Sequence, residues 1–310
     1  MKITHRLAAM AAVSVAAQLI LSAPLAGTAG ATLPGSNGRI AFTKGCCESQ
    51  DIYFANPDGS DLTKLDVGGM DAGSPSWAPD GSRIVAEVSD LHPTIRIATM
   101  APDGSDMRFL TNGRIQAHAP AFSPDGSTVV YTTEDGLVTK ASDGSGGPTQ
   151  LVSGVVMEPS YSPDGTTIVY AAAHGPNVRR RWNLFVVGSD GSNAHRITST
   201  PLRQEMDPSY SPDGTSIVYT AKDQVSRYES DSDVRMLDLA TQHSRVLFGS
   251  PDLEEYAGPV SPDGSRIAWV QYDASHHASL VVSNLDGTNP VIIDSGDVPT
   301  GFGGIDWLAT

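Results

Sequence analysis

One phrase recurs along this chain and constrains its fold more than any other feature. Pro-Asp-Gly is followed by Ser or Thr, then by one variable residue, and then by Ile or Val. Pro fixes φ, Asp hydrogen-bonds its own backbone and Gly accepts a positive φ, so the chain reverses here and enters a strand. The phrase returns about every 40 to 50 residues, which is the period of a β-propeller blade. The Asp residues of its five clear copies are Asp80, Asp125, Asp164, Asp213 and Asp263.

The two ends of the chain predict how the repeats close. A degenerate copy at residues 37–42 begins with the strand that follows the turn. Residues 304–308 match the short strand that precedes each turn, with Trp307 at the position of Trp77. The sequence therefore predicts an all-β chain, a six-bladed β-propeller over residues 32–310 whose C-terminal strand completes the first blade. A linear repeat array is the alternative, and it would need capping repeats.

The N-terminus has the pattern of a secretory signal peptide. Lys2 and Arg6 precede an apolar run over residues 7–21, and residues 29–31 (Ala-Gly-Ala) form a small-residue cleavage site. The apolar run is short for a membrane span. Residues 1–31 are therefore predicted to be removed, and the remaining 32–310 to be a single propeller that is secreted or extracytoplasmic, in the periplasm or cell envelope. An uncleaved anchor is the alternative.

The repeat resembles that of a known family. Its aromatic-Ser-Pro-Asp-Gly-x-x-Ile-x-Tyr unit is similar to the WD40-like repeat of the TolB-type β-propeller family, over about residues 37–310. The resemblance is to the propeller alone, without the TolB N-terminal domain, and it implies a binding or protein-interaction role. Related repeats occur in prolyl-oligopeptidase-type hydrolases, but no Gly-x-Ser-x-Gly pentapeptide occurs here. They also occur in oligogalacturonate lyases, with which no motif matches residue by residue.

Candidate ligand-binding residues lie just before the short first strand of each blade. In three successive blades these positions hold His118, Glu158 and Asp207, with Glu205 nearby. We expect the fold to bring them to the mouth of the central channel. Such a cluster could bind a divalent cation, calcium for example, or a cationic group. A solvated polar rim that binds no metal is the favoured alternative, so no cofactor is expected beyond weak cation binding.

Two further features lie in loops between the second and third strands. Arg179, Arg180, Arg181 and Trp182 form a basic and aromatic cluster that is a candidate contact with an acidic partner or a glycan, or else a solvated loop. Adjacent Cys46 and Cys47 could form a vicinal disulfide, bridge two chains or remain reduced. The repeated Asp residues are interpreted as turn residues rather than calcium ligands.

The net charge of the chain excludes some classes of binding partner. The formal net charge is −15, and removal of residues 1–31, with two basic residues and no acidic one, would change it to 18 − 35 = −17. Nucleic acid and anionic membranes are therefore unfavourable partners. The sequence predicts an exported, non-catalytic and monomeric binding propeller, with a protein or glycan partner in the cell envelope or extracellular space. The alternative is a metal-dependent lyase or hydrolase that acts at the channel mouth.

Overall fold

The computed structural model describes residues 30, 32–46, 49–90, 94–173, 182–200, 203–223, 232–296 and 302–310. All 24 elements of this part of the chain are β-strands, which confirms the all-β prediction. The same residues contain no helix that is long and apolar enough to cross a membrane. In chain order the strands are β1 (Asn37–Cys46), β2 (Ser49–Ala55), β3 (Thr63–Lys64), β4 (Asp71–Trp77), β5 (Ile84–Ser89), β6 (Arg96–Met100), β7 (Arg108–Phe109), β8 (Ala117–Phe122), β9 (Thr128–Thr133), β10 (Gly136–Ala141), β11 (Thr149–Ser153), β12 (Val156–Tyr161), β13 (Thr167–Ala173), β14 (Trp182–Gly188), β15 (His195–Arg196), β16 (Arg203–Tyr210), β17 (Ser216–Asp223), β18 (Ser232–Asp238), β19 (Ser244–Phe248), β20 (Glu254–Val260), β21 (Arg266–Tyr272), β22 (Ala278–Asn284), β23 (Val291–Gly296) and β24 (Phe302–Ala309).

The strands form antiparallel units of four. Unit 1 has the order β24-β1-β2-β3, and units 2, 3 and 4 are the separate sheets β4 to β7, β8 to β11 and β12 to β15. Units 5 (β16 to β19) and 6 (β20 to β23) belong to one eight-stranded sheet. We call β24, β4, β8, β12, β16 and β20 the first strands of units 1 to 6. The arrangement is propeller-like.

The recurring Pro-Asp-Gly phrase forms the predicted turn between the first and second strands. Between β4 and β5, the Gly81 N–H donates to the Ala78 carbonyl at 2.8 Å, and Gly81 has a φ of +67°. One carboxylate oxygen of Asp80 accepts the Ser82 N–H at 3.0 Å and the Ser82 hydroxyl at 2.6 Å. These bonds occupy the Asp side chain within its own turn. The equivalent Asp residues that accept the N–H two positions later are Asp125, Asp164, Asp213 and Asp263.

The described strands form five sheets rather than six, because units 5 and 6 are joined into one sheet. A single parallel residue pair, Ser232 with Glu254, joins β18 to β20. The Ser232 hydroxyl accepts the Glu255 N–H at 2.8 Å. Because this contact lies between the starts of two strands, it connects two sheets whose other pairings are those of ordinary four-stranded units. The repeat pattern held no signal for this pair.

The C-terminal strand pairs with the first strand of the chain, as the sequence predicted. β24 is antiparallel to β1, with Trp307 opposite Ile40. The Trp307 indole N–H donates to the Gly38 carbonyl at 3.1 Å, and the residue is 2% exposed. The first sheet is thus built from both ends of the described chain.

Burial follows the order of the units. Within the described residues, the buried apolar side chains form six clusters, and each cluster draws its residues mainly from two neighbouring units. One of them joins units 6 and 1, where Val270 and Tyr256 pack with Ile40, Ile305 and Trp307. Contacts between first strands run in the same order, from β4 through β8, β12, β16 and β20 to β24, and β24 also contacts β4.

Candidate functional site

Each first strand carries a local irregularity that points its backbone toward the neighbouring unit. In β12 and β16 the residue before Pro, Glu158 and Asp207, has a φ of +55° and +52°, which is uncommon for a residue with a side chain. The strand register shifts at the same point, for example between Met157 and Ser160. Similar positive φ values occur at Ser74, Ala119 and Gly304.

The turned backbone N–H groups bind side chains of the preceding unit. The Ser74 N–H donates to Thr43 Oγ1 at 2.8 Å, and the Ala119 N–H donates to Glu87 at 2.9 Å. The Asp207 N–H donates to Glu158 Oε2 at 2.7 Å. A buried N–H needs an acceptor, so these carboxylates and hydroxyls hold neighbouring units together.

Glu158 and Asp207 are the two predicted site residues that the structure brings together. Each is 4% exposed, and the Thr220 hydroxyl donates to Asp207 Oδ2 at 2.7 Å. Burial raises the pKa of Glu158 to about 7. Burial and the adjacent Glu158 charge raise the pKa of Asp207 well above its usual value. At neutral pH the pair therefore retains a proton, as close buried carboxyls do.

His118 lies apart from this pair, contrary to the predicted cluster. Its Nδ1 is 3.1 Å from Glu87 Oε2. Burial opposes charge on both groups, but the contact between them lowers the pKa of Glu87 and raises that of His118 on balance. His118 precedes the positive-φ position, whereas Glu158 and Asp207 occupy it. Because successive side chains on a strand point to opposite faces, this offset of one residue separates them.

Glu205 is buried at a different place. It is 1% exposed and accepts hydrogen bonds from Asn183 Nδ2 at 2.8 Å and from Thr200 Oγ1 at 2.6 Å. The predicted solvated rim therefore does not describe Glu158, Asp207 or Glu205, because all three lie inside the fold. Among the residues that the structure describes, no group of three or more His, Cys, Asp or Glu could hold a metal ion.

A cavity of about 410 Å³ lies beside Glu205, between units 4 and 5. Arg203 on its wall is 2.8 Å from Asp223 and 3.1 Å from Asp233. The Tyr219 hydroxyl lies 2.7 Å from Ser244 Oγ, and Arg235 Nε donates to the same Ser244 oxygen at 3.1 Å. The cavity is thus lined by guanidinium and hydroxyl groups that these contacts hold in fixed positions. Its other lining residues are Ile197, Thr198, Ser199, Thr200, Ala221, Leu237 and Gln242.

The two loop features lie largely outside the described residues. Arg179, Arg180 and Arg181 fall there, whereas Trp182 begins β14 and packs partly buried against the cluster that joins units 4 and 5. Cys46 ends β1 opposite Ser49, and Cys47 lies beyond the described residues. The disulfide and the basic contact patch therefore stay predictions.

Sequence reasoning missed Asp306. It is 3% exposed and accepts the N–H groups of Trp77 at 2.6 Å and of Trp307 at 2.9 Å. Burial raises the pKa of Asp306 to about 6. A signal was present in the repeat alignment, where Ser76 and Ser160 occupy the position equivalent to Asp306. Ser209, Ala121 and Pro259 stand at the same position in the other repeats, so a carboxylate there is a departure that could have been noticed.

The fold and its first strands define a propeller-like all-β protein. No family model matches the chain, and no curated protein matches it. Among solved structures it is similar to TolB from Acinetobacter baumannii, with 20% identity and a TM-score of 0.71, over 88% of this chain and 67% of that chain.

Two further solved structures are also similar. The putative TolB from Agrobacterium tumefaciens has 23% identity and a TM-score of 0.58, over 78% of this chain and 86% of that chain. An oligogalacturonate lyase in complex with manganese has 14% identity and a TM-score of 0.58, over 86% and 76%. At these identities the likeness concerns the fold, and the chain has a TolB-like propeller fold.

Proposed function

We propose that this chain is exported and serves as a non-catalytic binding propeller, with its six units closed into one ring by β24. The contacts between first strands carry the ring proposal. They run from unit to unit through all six first strands, and the last of these, β24, contacts β4. The apolar cluster that joins units 6 and 1 supports it too. The N-terminal pattern supports export, with residues 1–31 removed.

The binding site in this proposal is the cavity between units 4 and 5. Two of the first candidates are engaged between units, Glu158 with the Asp207 N–H and His118 with Glu87 of unit 2. The cavity, in contrast, has room for a ligand, and Arg203 and Arg235 line it. In sequence, residues 179–181 precede β14 of unit 4, and Trp182 is its first residue. We propose a protein or glycan partner that contacts the cavity and this basic segment.

A paired capture experiment tests this function. The mature protein and an Arg203→Ala/Arg235→Ala variant are used to capture partners from culture fluid and from envelope extract. Arg83→Ala is the matched control, because Arg83 also pairs with an Asp, Asp106, at 2.8 Å, on another sheet. We expect one partner to be retained by wild type and control and lost by the double variant. Equal retention by all three would contradict the proposed site.

The alternative is a metal-dependent lyase or hydrolase. One observation favours it, the similarity in fold to the oligogalacturonate lyase with manganese. Incubation of the mature protein with pectic oligosaccharides, with and without manganese, separates the two functions. We expect no new product ends in either case, and manganese-dependent turnover would replace the binding proposal by the enzyme.

A further inference from the structure

The segment before β1 lies among the first strands of three units. Gly30 is buried, and a Cβ at this residue would lie 2.5 Å from Ser76 Oγ and 2.6 Å from Asp306 Oδ2. Ser160 Oγ donates to the Gly30 carbonyl at 3.5 Å. A side chain has no room here. Units 1, 2 and 4 therefore form a site that holds a peptide main chain.

The residues that follow Gly30 are tied to the fold where they leave its interior. The Gly35 N–H donates to the Pro262 carbonyl at 3.1 Å, and the Ser36 N–H donates to the Thr310 carbonyl at 2.9 Å. Thr32 is fully buried at 0% exposure, and its hydroxyl has no hydrogen-bond partner within the described part of the chain. Residues 32–34 thus lead inward from a fixed point.

Asp306 provides a buried carboxylate in this site. Its carboxylate accepts the N–H groups of Gly30, Trp77 and Trp307 and a hydrogen bond from Ser76. Among the described residues, no Lys, Arg or His forms an ion pair with it. A buried carboxylate without a counter-ion is costly, and a cation placed against it would favour its charged form.

We propose that in the mature protein the α-ammonium group of Thr32 takes the position of the Gly30 amide and binds Asp306. This assignment rests on the proposed export, because processing creates the amine. A signal peptidase adds one water across the Ala31–Thr32 amide bond, which leaves a carboxylate on Ala31 and an ammonium on Thr32. The cut removes Gly30 from the site, and two residues of chain span at most about 7 Å. The new terminus therefore begins no more than about 7 Å from the vacated position.

The captured terminus would fasten the N-terminal segment between units. An ion pair with a charged ammonium donor would replace the hydrogen bond from the uncharged Gly30 amide. The site would be filled by the chain's own terminus, so a partner would bind elsewhere on the molecule. The expected signature is an α-amine that is protected from reagents and has a raised pKa.

Amine labelling of the secreted protein tests the assignment. An amine-reactive acylating reagent is applied at neutral pH, and the labelled N-terminal peptide is quantified by mass spectrometry against a synthetic peptide of residues 32–38. We expect the amine of the folded protein to react at least about tenfold more slowly, because an ordinary α-amino pKa lies near about 8 and the bound amine would lie above it. Asp306→Asn should remove most of this protection. Asp213→Asn, at an exposed turn of unit 5, should retain it.

The outcomes separate this assignment from the proposed export. N-terminal sequencing of the same sample shows where the chain begins. A start at any residue other than Thr32 overturns the processing site and this assignment together. A start at Thr32 with labelling as fast as in the peptide overturns the assignment alone. Should Asp306→Asn fail to fold, the pH dependence of wild-type labelling decides: a raised α-amino pKa supports the assignment, and an ordinary one refutes it.

Discussion

At the scale of residues, Glu158 and Asp207 make stability depend on pH with a definite sign. Unfolding returns both carboxyls to pKa values of about 4, whereas burial in the fold holds the pKa of Glu158 at about 7 and raises that of Asp207. Between these values the folded state binds more protons than the unfolded state. The free energy of unfolding contributed by the pair is therefore full at low pH and falls as pH rises through about 7.

Replacing one carboxyl by an amide should remove much of this dependence. In Asp207→Asn the amide oxygen can still accept from Thr220 and the amide group can donate to Glu158. We expect the variant to match wild type near pH 5 and to exceed it at pH 8 by roughly 2 kcal/mol, since the ionisation is absent. Urea denaturation across this range measures the difference.

The control for this experiment has an opposite shift. Asp213 lies in an exposed turn, where hydrogen bonds from Ser211 and Thr215 lower its pKa. Asp213→Asn should therefore leave the slope between pH 5 and 8 unchanged. Part of the slope should persist in Asp207→Asn, because His118 also has a raised pKa and acts with the same sign. A slope identical to that of wild type in Asp207→Asn would contradict the shared proton.

At the scale of elements, β24 is the strand on which closure depends. Deletion of residues 303–310 removes Ile305 and Trp307, which are 0% and 2% exposed, and leaves one edge of β1 unpaired. Loss of a buried Trp alone costs about 3 to 5 kcal/mol. We expect the melting temperature to fall by about 10 °C or more and the truncated protein to associate through the open edge. Scanning calorimetry and light scattering measure the two effects.

Two comparisons make the truncation specific. Thr310→Ala changes an exposed residue at the same end and should leave the melting temperature within about 1 °C, because surface substitutions are nearly neutral. A synthetic peptide of residues 302–310 should restore the truncated protein in part by occupying the β1 edge. A truncated protein that stays monomeric with the melting temperature of wild type would show that β24 is dispensable for closure.

At the scale of the whole molecule, the sequence predicted the features that depend on the properties of individual residue types within the repeat. The Asp-Gly turns follow from the properties of two residue types, and the pairing of β24 followed from Trp307 standing where Trp77 stands in the repeat. The burial of Glu158 and Asp207 depends instead on a positive φ that two non-glycine residues adopt, for which the sequence has no pattern. The junction at Ser232 and Glu254 rests on one residue pair, and a single pair has no periodicity.

The general negative charge of the molecule and the buried Glu158–Asp207 pair should act differently on a cation. The net charge of −15 raises the local concentration of cations over the whole surface. At the inner pair, however, a cation would have to displace the retained proton, and the Asp207 N–H and the Thr220 hydroxyl already bind these carboxylates. His118 is held by Glu87 and lies outside the pair. Calcium needs six or more oxygen ligands, which this arrangement does not supply.

We therefore expect calorimetry at neutral pH with calcium, manganese and zinc to give weak heats without a defined stoichiometry. A Glu158→Gln/Asp207→Asn variant should give the same weak heats, because the general charge of the molecule, rather than the pair, attracts the cations. Asp164→Asn, at an exposed turn, is the comparison. It removes one negative charge, as the double variant does, because the pair retains a proton at neutral pH. The melting temperature should rise only at high metal excess, since stabilisation grows with the logarithm of concentration over the dissociation constant. Saturable binding of one cation that disappears in the double variant would assign the pair as a metal site and favour the enzyme over the binding propeller.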